Sequence, residues 1–184
     1  ITKWAAKRGE AGREMPYSVT SQPKEAAMIE TVAQLGNEND MVIIDLEGTA
    51  SRMMSRALIR SHLVLVPFNQ SPVDAELAAA AVSLIQEEEE AVERKIPFRL
   101  VRSRDSAAFA TKTSKRITSA IEQAGLPMLP IGVVERAAYR DIYEFGLRLS
   151  ELDPSQTSGV PKAIENAQGL AQAVVDSLKE DHRR

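Results

Sequence analysis

The amino-acid sequence predicts an α/β fold in which a mostly parallel sheet is covered by helices on both faces. Three short runs rich in Val, Ile and Leu are separated by segments with helical periodicity: Met41 to Ile44, Leu63 to Val66 and Phe98 to Val101. These runs lack the alternation of apolar and polar residues that a sheet with one wet face requires, so they are typical of buried parallel strands. Because right-handed crossovers place helices above and below such a sheet, we expect a three-layer sandwich.

Two further segments are weaker strand candidates. Met128 to Ile131 is apolar but is interrupted by Pro130, and Pro16 to Thr20 has the composition of an edge strand. Proline cannot donate to a strand ladder, which makes the first of these candidates weaker and suits an edge position for the second.

Helical periodicity accounts for most of the remaining chain. The first predicted helix, Pro23 to Leu35, places Ala26, Ile29, Val32 and Ala33 on one face. The second starts after Ser71 and buries Leu77, Ala81, Leu84 and Ile85. The others are Thr113 to Ala124, Arg136 to Phe145 and a last helix with Ile164, Ala167, Ala171, Val174 and Leu178 on one side.

Local signals define several helix ends. Ser71 is a good cap, with Pro72 at the first helical position and Asp74 near the free amides. Gly125 and Gly146 are expected to stop the helices that precede them. The glutamates from 87 to 90 are interpreted as a solvated face.

Composition limits the classes of protein to which the chain can belong. At 184 residues and 43% hydrophobic content, one domain with a substantial core is expected, and the formal net charge of -3 argues against a nucleic-acid coat protein. The sequence has no cysteine, which suits a reducing cytoplasm. His62 and His182 lie too far apart to indicate a metal site. The longest apolar stretches, such as Leu77 to Ile85, are too short to cross a bilayer, so no membrane partner is expected.

The first candidate for chemistry is Asp45, which follows the run Met41 to Ile44 and precedes Leu46, Glu47 and Gly48. A carboxylate at the tip of a buried strand can orient the water ligands of a phosphate-bound magnesium ion. Asp45 as a turn or helix-cap residue is the alternative.

The string VIIDLEGTAS, followed by SHLVLVPFNQSPVDAE, resembles the ParA/MinD family of deviant P-loop ATPases. It resembles most closely a plasmid-borne subgroup with the string D-T-E-G-T-A-S, and it is also similar to the ParA-like accessory ATPase that binds the overdrive sequence in T-DNA transfer. The opening ITKWAAKRG looks like the stretch after that family's second acidic strand end. The similarity extends from Ile1 to about Leu152.

The resemblance implies roles for the residues after the strands. Asp45 would be the Walker B aspartate, holding Mg through water, and Glu47 with Gly48 would sense the γ-phosphate of ATP. Leu46 stands where the family usually has threonine, which removes a hydroxyl contact. Pro67 would follow the family's next strand. Three residues would line the rim of the nucleotide or dimer face, with helix capping as the alternative: Gln70, Ser71 and Asp74.

The same resemblance places the adenine base near the next two strand ends. Arg102, Arg104 and Asp105 would border one side of the base, with a surface salt bridge as the alternative. Val134 and Glu135, flanked by Val133 and Arg136, would form the other side.

No G-x-x-x-x-G-K-[ST] string occurs in the sequence. The family's phosphate loop precedes the stretch that ITKW resembles by about one βαβ unit. We therefore expect a P-loop NTPase-like fold that lacks its N-terminal βαβ unit, and a natural protein that begins upstream of Ile1. The chain alone is expected to bind ATP weakly, to be inactive and to be fragile, whereas the extended chain would bind ATP and dimerise.

The predicted organisation is a nucleotide-binding domain over residues 1–152, a linker over 153–161 and a C-terminal helix over 162–184 that packs on the same domain. The linker is rich in Ser, Pro and Gly.

By resemblance, the function is that of a switch ATPase in plasmid or chromosome partition or in DNA transfer, with partition favoured. The implied partners are a second copy in the ATP state, nonspecific DNA, and a ParB-like or relaxosome protein, in the cytoplasm on nucleoid or plasmid. A biosynthetic ligase of the same fold and a noncatalytic interaction module are the alternatives. A DNA-binding patch would use cations on two helices, which are Lys112, Lys115, Arg116, Arg136, Arg140 and Arg148. Ordinary solvated helix faces explain these cations equally well.

Overall fold

The computed structural model describes residues 1–21, 25–46, 51–106 and 111–182. Glu47 and Gly48, two of the predicted site residues, lie outside these ranges.

Helices and two strands make up the described chain. The helices are α1 (Thr2–Glu10), α2 (Met28–Glu38), α3 (Arg52–Leu58), α4 (Pro72–Val92), α5 (Lys112–Gln123), α6 (Ala137–Phe145) and α7 (Val160–His182). The strands are β1 (Val64–Phe68) and β2 (Phe98–Arg102), and 3-10 turns lie at Glu25–Ala27 and Leu149–Glu151.

The sheet is parallel, as predicted. β1 pairs with β2 from Val64 opposite Phe98 to Phe68 opposite Arg102. A third segment, residues 127–135, extends this sheet beyond β2 through isolated bridges at Leu100 with Met128 and at Asp105 with Val134. Pro130, which has no N–H, lies between the two bridges and interrupts the ladder.

The run Met41 to Ile44 is not a strand, so this part of the prediction was wrong. Its side chains at Met41 and Ile43 are 53% and 84% exposed. Within the described ranges no backbone hydrogen bond joins residues 41–46 to a neighbouring strand. An apolar run becomes a strand only when a neighbour accepts its backbone groups, and the described chain supplies none. Pro16 to Thr20 likewise forms no strand.

The main core lies on one face of the sheet. Val66, Phe68 and Leu100 pack there with the buried residues of α3, α4 and α5, which are Leu58, Ala78, Val82, Ile85 and Ile117. Helix α7 lies on the other face, where Asp181 is 3.1 Å from Arg99 of β2. Helices therefore flank the sheet on both faces, which confirms the predicted α/β class, but β1 is not covered on the α7 side, where Leu65 is 41% exposed.

Several helix ends confirm the local signals. The Ser71 side chain accepts a hydrogen bond from the Asp74 N–H at 3.1 Å. Gly125 and Gly146 adopt left-handed conformations, with φ of 66° and 62°, just beyond α5 and α6. Thr111, which the sequence did not single out, caps α5 by accepting from the Ser114 N–H at 3.0 Å.

The predicted buried faces are partly wrong. Leu77 of α4 is 64% exposed, and Ala26, Ala33 and Ala171 are also exposed. On α7 the buried positions are Val160, Ala163 and Ser177 instead, and the last two are each one position away from the predicted stripe at Ile164 and Leu178. Periodicity identifies the helices. Which face of each helix is buried depends on the elements that pack against it, and periodicity gives no information about them.

Helix α1 docks on the carboxyl end of α6, a contact that the sequence did not predict. Lys7 Nζ donates to the carbonyl oxygen of Glu144 at 2.9 Å, and Arg13 donates to that of Phe145 at 2.9 Å. The buried Arg8 donates to the carbonyl oxygen of Gly146 at 3.1 Å. The carboxyl end of a helix exposes unpaired carbonyl oxygens and carries partial negative charge, so three cations stabilise it together.

The predicted linker is packed against the domain at several points. Thr157 is 4% exposed, and Leu152 and Val160 belong to a second apolar cluster with Ala138 and Ala163. Helix α7 begins at Val160, two residues before the predicted start. The division into domains stays a prediction.

Within the described residues no helix is both long and apolar enough to cross a membrane.

Candidate functional site

The carboxyl ends of β1, β2 and the third segment lie along one edge of the sheet. The Ser103 N–H donates to the Phe68 carbonyl oxygen at 2.8 Å, which joins the ends of the two strands. The Asp105 N–H donates to the Val133 carbonyl oxygen at 2.9 Å, which joins β2 to the third segment. In parallel sheets this edge is where ligands bind.

The residues predicted for the two sides of the base therefore lie together. The Val133 N–H donates to the Arg102 carbonyl oxygen at 2.8 Å, and the Glu135 N–H donates to the Asp105 carbonyl oxygen at 2.9 Å. We call residues Gly132 to Glu135 the base-side loop, because the sequence predicts base contacts there. Its position next to Arg102 and Asp105 brings both predicted groups into one site.

Arg102 and Asp105 form an ion pair at this edge. Arg102 Nε donates to Asp105 Oδ2 at 3.0 Å, and Arg102 also donates to the Pro130 carbonyl oxygen at 3.1 Å. A Cβ on Gly132 would lie 2.7 Å from the Arg102 carbonyl oxygen and 2.8 Å from Asp105 Oδ2. Only glycine allows the base-side loop to approach the pair this closely.

Arg104 extends from a left-handed backbone conformation, with φ of 55°. Such a conformation is uncommon outside glycine and clusters at functional sites. Its guanidinium donates to Glu135 Oε1 at 3.4 Å, and Arg140 donates to the same oxygen at 2.9 Å. The surface salt bridge that the sequence left open is thus present, and it ties Arg104 to the base-side loop.

A polar cleft of about 600 Å³ opens beside these residues. Hydroxyl and amide side chains from the start of α4 and from α5 supply most of its wall, together with Arg104 and Lys115. Its lining includes Asn69, Gln70, Ser71, Thr111, Ser114 and Thr118. Gln70 and Ser71, which the sequence placed at the rim of a nucleotide or dimer face, lie at this cleft. Ser71 also caps α4 by accepting from the Asp74 N–H.

Two buried oxygens next to the cleft have no hydrogen-bond partner among the described residues. They are Asn69 Oδ1 and Asp105 Oδ1. Buried acceptors are nearly always satisfied in folded proteins, because an unmet acceptor loses its hydration without replacement. The two oxygens therefore suit a ligand that presents N–H or O–H donors.

Asp45 is the residue predicted to hold magnesium. Its carboxylate is 69% exposed and is 3.6 Å from the amino nitrogen of Ile1. Leu46 is half-buried beside it. No hydrogen bond or ion pair between described residues connects Asp45 to Arg102, Arg104 or Asp105. A single exposed carboxylate can hold a magnesium ion through water. No contact between described residues tests this role of Asp45, which stays a prediction.

The predicted DNA-contacting cations differ in their surroundings. Lys112, Lys115 and Arg116 are exposed on α5. On α6, Arg140 pairs with Glu135, and Arg136 is only half-exposed, with its Nε buried and unpaired among the described residues. Three cations on α5 remain the better candidate for phosphate contacts.

A second cleft, of about 630 Å³, lies at the opposite edge of the sheet. Its lining includes Arg94, Lys95, Arg99 and Asp181. Lys95 is 90% exposed and pairs with Glu89, so it provides a surface position far from the strand ends that carry the site.

Asn166 and Tyr139 also support the site, although the sequence did not single them out. The Val134 N–H donates to Asn166 Oδ1 at 3.0 Å, and the Tyr139 hydroxyl lies 3.0 Å from the same oxygen. Asn166 lies outside the predicted apolar stripe of this helix, so no pattern in the sequence identified it.

Three comparisons with known proteins bear on the family and the fold of this chain. The family model described as VirC1 protein matches residues 17–179. Protein ParA of Rhizobium radiobacter is 36% identical over 182 residues, covering 98% of this chain and 79% of the relative. The apo McdA structure from Cyanthece superimposes with a TM-score of 0.67 at 16% identity, covering 94% of this chain and 64% of that structure. The chain thus spans less than two thirds of the McdA chain, whose similarity shows the fold alone. The match over most of the chain and the identity to a ParA protein lead to one conclusion: the chain belongs to the VirC1 family of ParA/MinD-type proteins.

Proposed function

We propose that the protein is an ATP-dependent switch of the ParA type that acts on DNA, in partition or in DNA transfer. In this proposal ATP and Mg bind at the carboxyl edge of the sheet, and two copies associate in the ATP state. The dimer then binds nonspecific DNA and a ParB-like or relaxosome protein, and its place is the cytoplasm, on nucleoid or plasmid.

One observation carries the proposal: the residues predicted for the two sides of the base meet at one sheet edge. Three backbone hydrogen bonds connect Arg102 and Asp105 with the base-side loop at 2.8 to 2.9 Å. Two buried acceptor oxygens next to the adjoining cleft have no partner in the part of the chain that the structure describes, and an exocyclic amine or a ribose hydroxyl would satisfy them.

Asp45 is the proposed Walker B carboxylate. Bound magnesium would neutralise the charge that develops on the phosphate oxygens during transfer. Asp45 would hold its water ligands, and Glu47 with Gly48 would respond to the terminal phosphate.

Lys112, Lys115 and Arg116 are the proposed DNA contacts. Each is exposed on α5, whereas Arg140 is engaged by Glu135. Phosphate contacts by lysine and arginine are independent of base sequence, as nonspecific binding requires.

Calorimetric titration with Mg-ATP tests the nucleotide site. We expect the complete gene product to bind ATP, and Asp105→Ala to weaken binding about tenfold, because one charge-assisted hydrogen bond contributes about 1.5 kcal/mol. Lys95→Ala, at the opposite edge, is the matched control and is expected to bind as the parent does. The 184-residue chain, in which no phosphate-loop string occurs, is expected to bind ATP much more weakly.

Equal ATP binding by the parent and by Asp105→Ala would contradict the base site. Tight ATP binding by the 184-residue chain would contradict the expectation that the phosphates need a phosphate-loop string. If the complete gene product bound no nucleotide, the noncatalytic interaction module would be the better description.

A further inference from the structure

Asn166 of α7 binds the backbone of the base-side loop at two points. Its Nδ2 donates to the Gly132 carbonyl oxygen at 2.9 Å, and its Oδ1 accepts from the Val134 N–H at 3.0 Å. An asparagine side chain carries one acceptor and two donor hydrogens in a single plane, so one residue meets both needs.

This double contact imitates a neighbouring strand. Successive residues of an extended segment direct their backbone groups to opposite sides. The N–H groups of Val133 and Glu135 bond to Arg102 and Asp105 on the β2 side. The groups that bond to Asn166 lie on the other side, at the outer edge of the third segment. The side chain therefore satisfies an edge that has only isolated bridges to hold it.

The position of Asn166 is itself fixed. The Tyr139 hydroxyl lies 2.9 Å from the Ala163 carbonyl oxygen and 3.0 Å from Asn166 Oδ1. Burial raises the pKa of the Tyr139 phenol, which keeps this hydroxyl protonated as a donor. A Cβ on Gly169 would lie 3.0 Å from Ile131 Cδ1, so α7 approaches the third segment closely one turn beyond Asn166.

We infer that Asn166 is a positioning residue that sets the base side of the proposed nucleotide site. It holds the loop whose Glu135 binds Arg104 and whose Gly132 lies against Arg102 and Asp105. The inference rests on the proposed function. The last helix, which carries none of the strand-end residues, thereby determines how the base is held.

Asn166→Ala removes both contacts to the loop. We expect affinity for ATP to fall about tenfold, because the loop beside the base loses two of its hydrogen bonds. The preference for ATP over GTP is expected to fall as well, since the loop no longer has one position. Inorganic tripolyphosphate with magnesium, which has no base, is expected to bind as tightly as to the parent.

The experiment measures these ligands by calorimetry on the complete gene product, together with hydrogen exchange at the Val134 amide. Gln168→Ala, at an exposed position of the same helix, is the matched control. Asn166→Asp keeps an acceptor for the Val134 N–H and loses the donor to Gly132, so it is expected to retain protection at Val134 with a smaller loss of ATP affinity.

Faster exchange at Val134 with a selective loss for ATP supports the inference. Unchanged exchange at Val134, or an equal loss for ATP, GTP and tripolyphosphate, overturns it, because a purely structural role affects every ligand alike. If parent and variants all fail to bind ATP, the proposed function fails. In that case faster exchange at Val134 still shows that the contact exists, and the assignment to base positioning is overturned.

Discussion

Arg8 and Glu151 form a two-point ion pair that joins the first helix to the end of the predicted nucleotide-binding domain. Arg8 Nη1 lies 2.6 Å from Glu151 Oε2, and Arg8 Nη2 lies 3.1 Å from Oε1. The Arg8 side chain is 1% exposed, and its guanidinium also lies 5.2 Å from the Trp4 ring centre. The same carboxylate accepts from the Arg148 N–H at 2.8 Å.

This pair predicts an acid-dependent loss of stability. The hydrogen bond from Arg8 lowers the pKa of Glu151 from 4.5 to about 2. A lowered folded-state pKa contributes stability that is present above about pH 4.5 and is lost as pH falls towards 2. Urea unfolding followed by the fluorescence of Trp4, the single tryptophan, measures this loss.

Glu151→Gln is expected to lower stability at pH 7 and to flatten its decline between pH 4.5 and 2. Glu144→Gln, at an exposed position of α6, is the control and is expected to follow the parent. The same decline with acid in Glu151→Gln and parent would show that other carboxylates cause it.

Gly132→Ala is expected to destabilise the fold by about 1 to 3 kcal/mol, because an added methyl group in a packed site forces the backbone to shift. The new Cβ would lie 2.7 Å from the Arg102 carbonyl oxygen. Gly36→Ala is the opposite case. Gly36 lies in α2 with nothing within 4 Å of an added Cβ, so alanine there is expected to stabilise by about 0.5 to 1 kcal/mol. Chemical denaturation of both variants checks the two signs, and a stable Gly132→Ala would contradict the close approach.

Asp45→Ala in the complete gene product is expected to lower the rate of ATP hydrolysis at least about a hundredfold, because the carboxylate acts on charge that develops in the transition state. The thermal melt is expected to stay unchanged, since Asp45 is 69% exposed. Asp40→Ala, at another exposed position nearby, is the control. Hydrolysis by Asp45→Ala at the parent rate would refute its assignment to magnesium.

Replacing Lys112, Lys115 and Arg116 together by glutamine is expected to weaken DNA binding in the ATP state. Each lost phosphate contact reduces the slope of log affinity against log salt by about 0.9, so a reduction of about 2 to 3 is expected. Arg140→Gln is expected to have less effect, because Glu135 already engages that guanidinium. Fluorescence anisotropy at several salt concentrations distinguishes these outcomes, and an unchanged slope in the triple variant would exclude α5 as the contact surface.

The short-range patterns of the sequence predicted the parts of the fold that depend on neighbouring residues. The Ser71 cap and the stops at Gly125 and Gly146 are set within one helical turn, so they hold in any tertiary context. The apolar runs that became β1 and β2 were identified from their composition, without knowledge of the segments with which they pair.

Tertiary structure decided which segments pair and which helix faces are buried. Met41 to Ile44 has the composition of a strand but finds no neighbour among the described residues, while residues 127–135 join the sheet despite Pro130. Arg8 and Asn166 act on residues more than thirty positions away, Glu151 and Val134 respectively, and no local pattern contains such contacts. The sequence by itself thus determined the family and the α/β class, and it predicted site residues at the strand ends. Only the folded chain determined how those residues are held, because burial and pairing depend on the chemistry of both partners.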